Sequence, residues 1–140
     1  MLEHRSGTLY EDMYWIDAET ATVVAKEIDG CVECKIVYSK STLTKIRNKR
    51  GLITIHTHPS GSPPSISDLR SNYFYEYGLG IVCGHNGKVY IYSANEAVPK
   101  ERYTSLGGKF FNIFKSREMA QIAMLDELQK QFDVLIKEVQ

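Results

Sequence analysis

Residues 53–68, with the sequence ITIHTHPSGSPPSISD, decide the fold. Their opening run of β-branched and apolar residues predicts a buried strand. Side chains two residues apart on a strand point to the same face, so His56 and His58 project together. Pro59 has no N–H to donate to the ladder and therefore stops it. The sequence thus predicts a strand that ends in two neighbouring imidazoles.

A loop rich in Ser, Gly and Pro leads from this strand to a helix. Ser65, followed three residues later by Asp68 ahead of a helical pattern, is typical of a helix N-terminus. This spacing places Asp68 in the first helical turn, near the end of the strand. Two His and one carboxylate make the three-protein-ligand set of a catalytic zinc, with the fourth position left to water. We therefore expect one zinc ion on His56, His58 and Asp68; iron or manganese would suit a similar site.

This stretch resembles the JAMM (MPN+) metalloprotease family, whose motif is Glu, then His-x-His-Pro, then a loop, then Ser-x-x-Asp. The resemblance implies that the two His and the Asp hold zinc, and that Ser65 helps to stabilise the tetrahedral intermediate. The family usually has seven residues between the second His and the Ser, whereas this chain has the six residues 59–64. Ser67 is the alternative for the hydroxyl role.

The resemblance also implies a general base, a Glu that lies tens of residues upstream at the edge of the first strand. The base must lie outside the three ligands, and residues 53–68 contain no spare carboxylate. Glu11 fits best, because it stands just before the predicted first strand; Glu27 and Glu3 are the alternatives. The implied activity is zinc-dependent hydrolysis of a peptide or isopeptide bond in a protein or peptide substrate.

Within this family the chain looks similar to the prokaryotic and phage members, the RadC-like group and the JAB-like domains attached to phage minor head proteins. The segments that carry this likeness are residues 13–20, 52–59 and 80–90. A non-enzymatic alternative goes with it: a catalytically silent JAMM-like scaffold or binding module, for example in phage head assembly. Other hydrolases with His-x-His on a strand are built on barrels of about 250 residues, which this chain is too short to form.

The composition is that of an ordinary globular domain, and we expect residues 1–140 to form a single JAMM-like domain. Apolar residues make up 43% of the chain, and the 17 Lys and Arg balance the 17 Asp and Glu. We therefore expect no attraction to nucleic acid or to anionic lipid. The sequence lacks a run of about 18 apolar residues and a signal-peptide h-region, so we expect a cytoplasmic protein. Cys31, Cys34 and Cys83 are expected to be reduced, although Cys31-x-x-Cys34 is also compatible with half a zinc site or a redox pair.

The hydrophobic pattern predicts an α+β (α/β/α-like) domain with a mixed sheet of about six strands and a helix on each side. The resemblance implies a JAMM/deaminase-like core. Strands are predicted at residues 13–17, 22–28, 34–38, 52–58, 78–84 and 88–93, with an Asn-Gly hairpin turn before the last. Helices are predicted at 39–50, 67–77 and 116–139. Residues 1–8 are expected to be loose, and residues 94–108 to form a mobile, irregular loop.

Overall fold

A computed structural model describes residues 2–139, which form a six-stranded mixed sheet with four helices. This architecture confirms the predicted α+β class. The strands are β1 (Met13–Ile16), β2 (Val23–Glu27), β3 (Ile53–His58), β4 (Leu79–Gly84), β5 (Val89–Ala94) and β6 (Val134–Glu138). The helices are α1 (Lys40–Ile46), α2 (Ile66–Phe74), α3 (Lys100–Phe114) and α4 (Arg117–Gln131).

The strand order, β2-β1-β3-β4-β5-β6, places the histidine-bearing strand β3 in the interior of the sheet. β3 and β4 are parallel, and the other neighbouring pairs are antiparallel. The β1–β3 register pairs Met13 with His56, so the beginning of β1 lies beside the end of β3. The residues just before β1 therefore reach the same edge of the sheet as His58.

One face of the sheet carries the core. Trp15 and Val82 on this face are fully buried, and the side chains that alternate with them are only half-buried. Each of the four helices contributes buried apolar residues, among them Ile46, Leu69 and Leu128, to the two hydrophobic clusters on the same face. The sequence pattern predicts a helix on each side of the sheet, which is wrong for the described helices, because all four pack on one side.

The reason for this one-sided arrangement is topological. β2, β3 and β4 run in the same direction, because β1 is antiparallel to both β2 and β3. The crossovers through α1 and α2 both progress the same way across the sheet, from β2 to β3 and from β3 to β4. Right-handed crossovers that progress in the same direction place their helices on the same face.

The third predicted strand, residues 34–38, is not a strand. A turn at residues 32–34 precedes it, and Cys34 has a left-handed φ of +53°. The backbone N–H of Cys34 donates to the carbonyl of Leu9 at 2.7 Å, so it is held by a loop and not by a ladder. Ile36 and Tyr38 still pack against the cluster around Trp15, which explains their apolar character.

The predicted irregular loop at residues 94–108 is also wrong, because α3 begins at Lys100 and runs through Gly107 and Gly108. Its buried Leu106 and the partly buried Tyr103 and Phe110 recur at helical spacing, and all three pack on the core. The two glycines weaken the helical propensity of this segment, but packing of the apolar stripe outweighs that loss.

The predicted helix 116–139 divides into two elements. α4 ends at Gln131, and residues 134–138 form β6, which pairs antiparallel with β5. Val134 and Ile136 face the core, whereas Leu135 between them is half exposed, which is the alternation of a strand. The count of six strands is therefore right, but the sixth is β6 and not residues 34–38.

The N-terminal residues are held and not loose, as far as the structure describes them from residue 2. The His4 Nδ1 lies 2.6 Å from Asp12 Oδ2, and the Arg5 guanidinium donates to the carbonyl of Gly30 at 2.7 Å. Residues 2–9 therefore form a turn-rich segment fixed beside the start of β1. Across residues 2–139, no helix has the length and apolar character that crossing a bilayer requires.

Candidate metal centre

Three side chains converge at the end of β3. The Nε2 atoms of His56 and His58 lie 3.1 Å apart. Asp68 approaches both of them, with 3.3 Å from its Oδ1 to His56 Nε2 and 3.4 Å from its Oδ2 to His58 Nε2. His56 is 2% exposed and His58 is 7% exposed. The structure thus brings together all three predicted metal ligands, and they form the one such group found among the described residues.

These separations fit a bound metal ion. Ligand atoms about 2.0–2.1 Å from one ion, at tetrahedral angles, stand about 3.3–3.4 Å from one another. The three distances in the cluster, 3.1, 3.3 and 3.4 Å, lie close to that value. Two imidazole nitrogens and a carboxylate that meet in a buried place would repel one another without a cation or a proton between them. The donor set and the spacing therefore suit zinc.

The electrostatics of the cluster show strong coupling between its members. Burial opposes protonation of His58, but the hydrogen bond and the negative charge of Asp68 outweigh it and raise the pKa of the imidazole. Burial likewise favours the neutral form of Asp68, but the two imidazoles outweigh it and hold the pKa of the carboxyl well below its usual range. The cluster therefore favours the ionised form of Asp68, which a metal ligand needs, and a cation would compete with protons for His58.

The loop after β3 fixes the tautomer of His58. The Nδ1 atom of His58 lies 2.9 Å from the carbonyl oxygen of Ser62, to which it donates in the tautomer that leaves Nε2 free for a metal. The loop turns back at Gly61, whose N–H donates to the carbonyl of His58 at 3.0 Å. Gly61 has a φ of +70°, and a Cβ atom there would lie 2.2 Å from the side chain of Asn86. Glycine is therefore required for the loop to reach His58.

Ser65 and Asp68 form the capping box that the sequence predicts at the start of α2. The Asp68 N–H donates to Ser65 Oγ, and Asp68 Oδ2 accepts from the Ser65 N–H at 2.6 Å and from its hydroxyl at 2.8 Å. The cap therefore does two things, because the same bonds that begin the helix also orient the carboxylate towards the imidazoles. Ser65 lines the cleft above the cluster, as does Ser67, the alternative hydroxyl.

Glu11 is placed near the three ligands. The carbonyl of Asp12 accepts from the Thr57 N–H at 3.0 Å, which continues the β1–β3 pairing beyond Met13. Glu11, one residue before Asp12, lines the same cleft as His56, His58 and Asp68. Burial raises the pKa of Glu11; the charges of His58 and His56 lower it, and Asp68 raises it. The carboxyl therefore shares the electrostatic environment of the cluster, as a base must.

The cluster forms the floor of a cleft of about 1550 Å³. One wall consists of the N-terminal segment, residues 6–9, together with Cys34, Ile36 and Tyr38. The opposite wall consists of α3 and α4, through Tyr103, Phe111, Arg117 and Gln121. Gln121 is held against the loop after β3, with its Nε2 atom 3.3 Å from the carbonyl of Pro63 and 3.4 Å from that of Pro64.

Sequence reasoning missed both walls of this cleft. The apolar spacing of Tyr103, Leu106 and Phe110 indicates a helix at α3, whereas Gly107-Gly108 indicates an irregular segment. Nothing local marks residues 6–9 as part of a site, because their position depends on His4 and Arg5. His85 is not among the predicted ligands; it lies at the cleft and donates its N–H to the carbonyl of His58 at 3.2 Å, but its imidazole is not in the metal-ligand group.

The remaining predicted residues take other places. Glu27 accepts from Ser39 and Thr42 at the start of α1, so it serves as part of that helix terminus. All three cysteines are free, and Cys31 and Cys34 are exposed. Comparisons of the chain with models of protein families, with curated proteins and with solved structures gave no match.

Proposed function

We propose that this chain is a zinc-dependent hydrolase of peptide or isopeptide bonds, of the JAMM type, with His56, His58 and Asp68 as metal ligands and Glu11 as the general base. One observation carries the proposal: ligand atoms of two buried histidines and of the partly buried Asp68 stand at the mutual spacing of a tetrahedral zinc site, beside the partly buried carboxyl of Glu11, in an open cleft.

Zinc in this site would act as a Lewis acid that polarises a carbonyl and lowers the pKa of water. Glu11 would take a proton from the attacking water and return it to the leaving amine. A general base works best when its pKa approaches the working pH, and burial moves the pKa of Glu11 in that direction. If the amine belongs to a lysine side chain, the reaction is isopeptide hydrolysis.

The first role of Ser65 would be to orient the carboxylate of Asp68, because the hydroxyl and the N–H of Ser65 both donate to it. The proposed stabilisation of the tetrahedral intermediate requires the Ser65 hydroxyl to turn from Asp68 towards the cleft. Ser67 lines the same cleft and is the alternative donor.

The cleft supports a protein or peptide substrate. It is open, and its walls combine apolar side chains such as Ile36 and Phe111 with polar ones such as Arg117 and Gln121. Such walls suit an extended peptide chain, which presents alternating side chains and backbone polar groups. We also propose a cytoplasmic location, which the three free cysteines support.

The test is elemental analysis of the purified protein beside assays of a panel of peptide-linked and isopeptide-linked substrates. The variants are His58→Ala, which removes a ligand, and Glu11→Gln, which removes the base. Glu19→Gln is the matched control, because it makes the same change at an exposed turn. We expect about one zinc per chain in all proteins except His58→Ala, and turnover only in the parent and in Glu19→Gln.

Two results would contradict the proposal in different ways. A parent protein that binds no zinc after reloading would eliminate the metal site. A parent that binds zinc but turns over none of the panel, with Glu11→Gln unchanged in every respect, would favour the silent scaffold or binding module.

A further inference from the structure

The sheet has a second face that no described helix covers; the N-terminal segment, through His4, covers only its corner, where Asp12 and Thr57 are buried. We call it the far face, and its central residues are Tyr14, Ile16, Ile53, Ile55, Ile81, Val89 and Ile91. Strand alternation places them opposite the core, because each lies between residues that point to the helices. All seven are partly exposed, and none belongs to either described hydrophobic cluster. At the two edges, Val23 is 54% exposed and Leu135 is 50% exposed.

This composition is unusual for a face in contact with water. Strands of a mainly antiparallel sheet with one face in water usually alternate apolar residues on the core side with polar residues on the solvent side. On β3, Ile53 and Ile55 both point to the far face, where they pair with Ile16 and Tyr14 of β1. The far-face residues of β4 and β5 continue this apolar surface. Contiguous apolar surface of this kind marks an interaction site.

The dimensions suit one helix. The central residues span four adjacent strands, which at about 4.8 Å each make a surface about 19 Å wide. A helix that lies along the strands has a diameter with side chains of about 10–12 Å, so it covers the centre of this surface and leaves one edge strand on each side of it. An apolar sheet face is ordinarily buried by a helix or by a second sheet.

The charges on the far face identify the kind of helix. Lys26 on β2 pairs with Tyr14, and Lys137 on β6 pairs with Ile91, so an exposed lysine stands at each edge. Among the described strand residues that point to this face, none is acidic. The apolar centre thus has a positive rim on both sides.

This rim disfavours a second copy of the chain. If two far faces stacked on each other, either relative orientation would bring a lysine edge against a lysine edge, and like charges across an interface oppose binding. A helix with acidic residues on both sides of its apolar stripe would satisfy the centre and both edges together. We propose that the far face is a docking surface for an amphipathic helix of a partner protein, with acidic side chains flanking its apolar stripe.

Docking there would leave the metal centre open. Ile55 on the far face and His56 in the site are neighbours on β3 but point to opposite sides of the sheet. The partner would therefore bind behind the cleft and could carry the proposed hydrolase to its place of action without blocking it. The proposal stands on surface residues alone and is independent of any activity.

The test uses the full chain with labelled isoleucine δ1 methyl groups, observed by NMR. The probes are two synthetic amphipathic helices with the same leucine stripe, one flanked by Glu and the other by Lys. We expect the Glu-flanked peptide to shift the methyl signals of the far-face isoleucines and to leave those of Ile46 and Ile113, on the helices, in place. Binding should weaken as salt rises, because the rim contacts are exposed.

The double variant Lys26→Glu with Lys137→Glu tests the rim without touching the core, because both side chains are exposed. It should bind the Glu-flanked peptide at least about tenfold more weakly and should now bind the Lys-flanked one. Lys45→Glu with Lys49→Glu, at the end of α1, is the matched control and should bind like the parent.

Several results would overturn the proposal. Equal binding of the two peptides would refute the role of the lysine edges. If neither peptide shifted the far-face methyl signals, the far face would not be a docking surface for a helix. Concentration-dependent dimerisation that broadens the same methyl signals would assign the face to a second copy. Binding to phosphatidylserine vesicles without binding to the Glu-flanked peptide would assign it to a membrane surface.

Discussion

Gly80 packs against the ring of Tyr92, which in turn lies edge-on to the ring of His56 in the candidate site. It lies in β4 opposite Tyr92 of β5, whose ring crosses directly over it. A Cβ atom at Gly80 would stand 2.1 Å from Tyr92 Cζ and 2.4 Å from its Cε1. Tyr92 is 2% exposed and meets the His56 ring edge-on at 6.2 Å, so it cannot swing outwards. We therefore predict that Gly80→Ala destabilises the fold.

The magnitude follows from the displacement. Restoring an ordinary contact of about 3.4 Å requires the ring to move by about 1.3 Å within a close-packed core, for which overpacking costs about 1–3 kcal/mol. Replacing glycine by alanine also restricts the unfolded chain, which stabilises the protein by about 0.4–1 kcal/mol. The net expectation is a loss of about 1–2 kcal/mol in the free energy of unfolding.

Gly108→Ala is the matched control. Gly108 lies inside α3, and a Cβ atom there would meet nothing within 4 Å. The same substitution should then stabilise the protein by about 0.5–1 kcal/mol, since alanine favours a helix over glycine. Urea unfolding of both variants in chelator, with an unchanged dependence on denaturant, measures the two free energies. If Gly80→Ala proved as stable as Gly108→Ala, the close packing of Tyr92 over β4 would be refuted.

Three further predictions concern the surroundings of the site. Because the folded-state pKa of Glu11 is raised, its contribution to stability is present below the usual glutamate pKa and is lost as the pH rises through the raised value. In the metal-free protein, Glu11→Gln should therefore unfold at higher urea than the parent at pH 8 and at the same urea near pH 4; a gain confined to acid pH would contradict the sign. Tyr77→Phe leaves the buried Trp15 Nε1–H, which donates to the Tyr77 hydroxyl at 2.8 Å, without its acceptor, and should cost about 1–3 kcal/mol in urea unfolding; a change below about 0.5 kcal/mol would dismiss this bond. His4→Ala removes the partner of the buried Asp12 carboxylate and should cost about 1–2 kcal/mol while opening residues 2–9 to proteolysis, so an unchanged cleavage pattern would speak against their anchoring.

The group of three candidate metal ligands could be predicted from the sequence because its arrangement is local. The two-residue repeat of a strand brings His56 and His58 to one face, whatever the rest of the chain does. The capping box needs only Ser65 and Asp68 three residues apart. Both local rules are obeyed in the structure, and the short loop between them leaves little freedom in how the carboxylate meets the imidazoles.

The elements that were misjudged are those in which tertiary packing outweighs local preference. The glycines of α3 and the helix-like apolar spacing around residues 132–136 both point away from the structure that forms. α3 is held by its contacts with α4 and the core, and β6 by its pairing with the edge of β5. Neither partner can be recognised from a window of the sequence.

By itself, the sequence determined the α+β class, the strand that carries the two histidines and the helix start that carries Asp68, because spacing along one or two adjacent elements suffices for each. Only the tertiary structure decided that Glu11 lines the same cleft as His58, that residues 6–9 and α3 also line it, and that no described helix covers the far face. These features depend on strand register, on crossover direction and on contacts between residues far apart in the chain, and no local pattern encodes them.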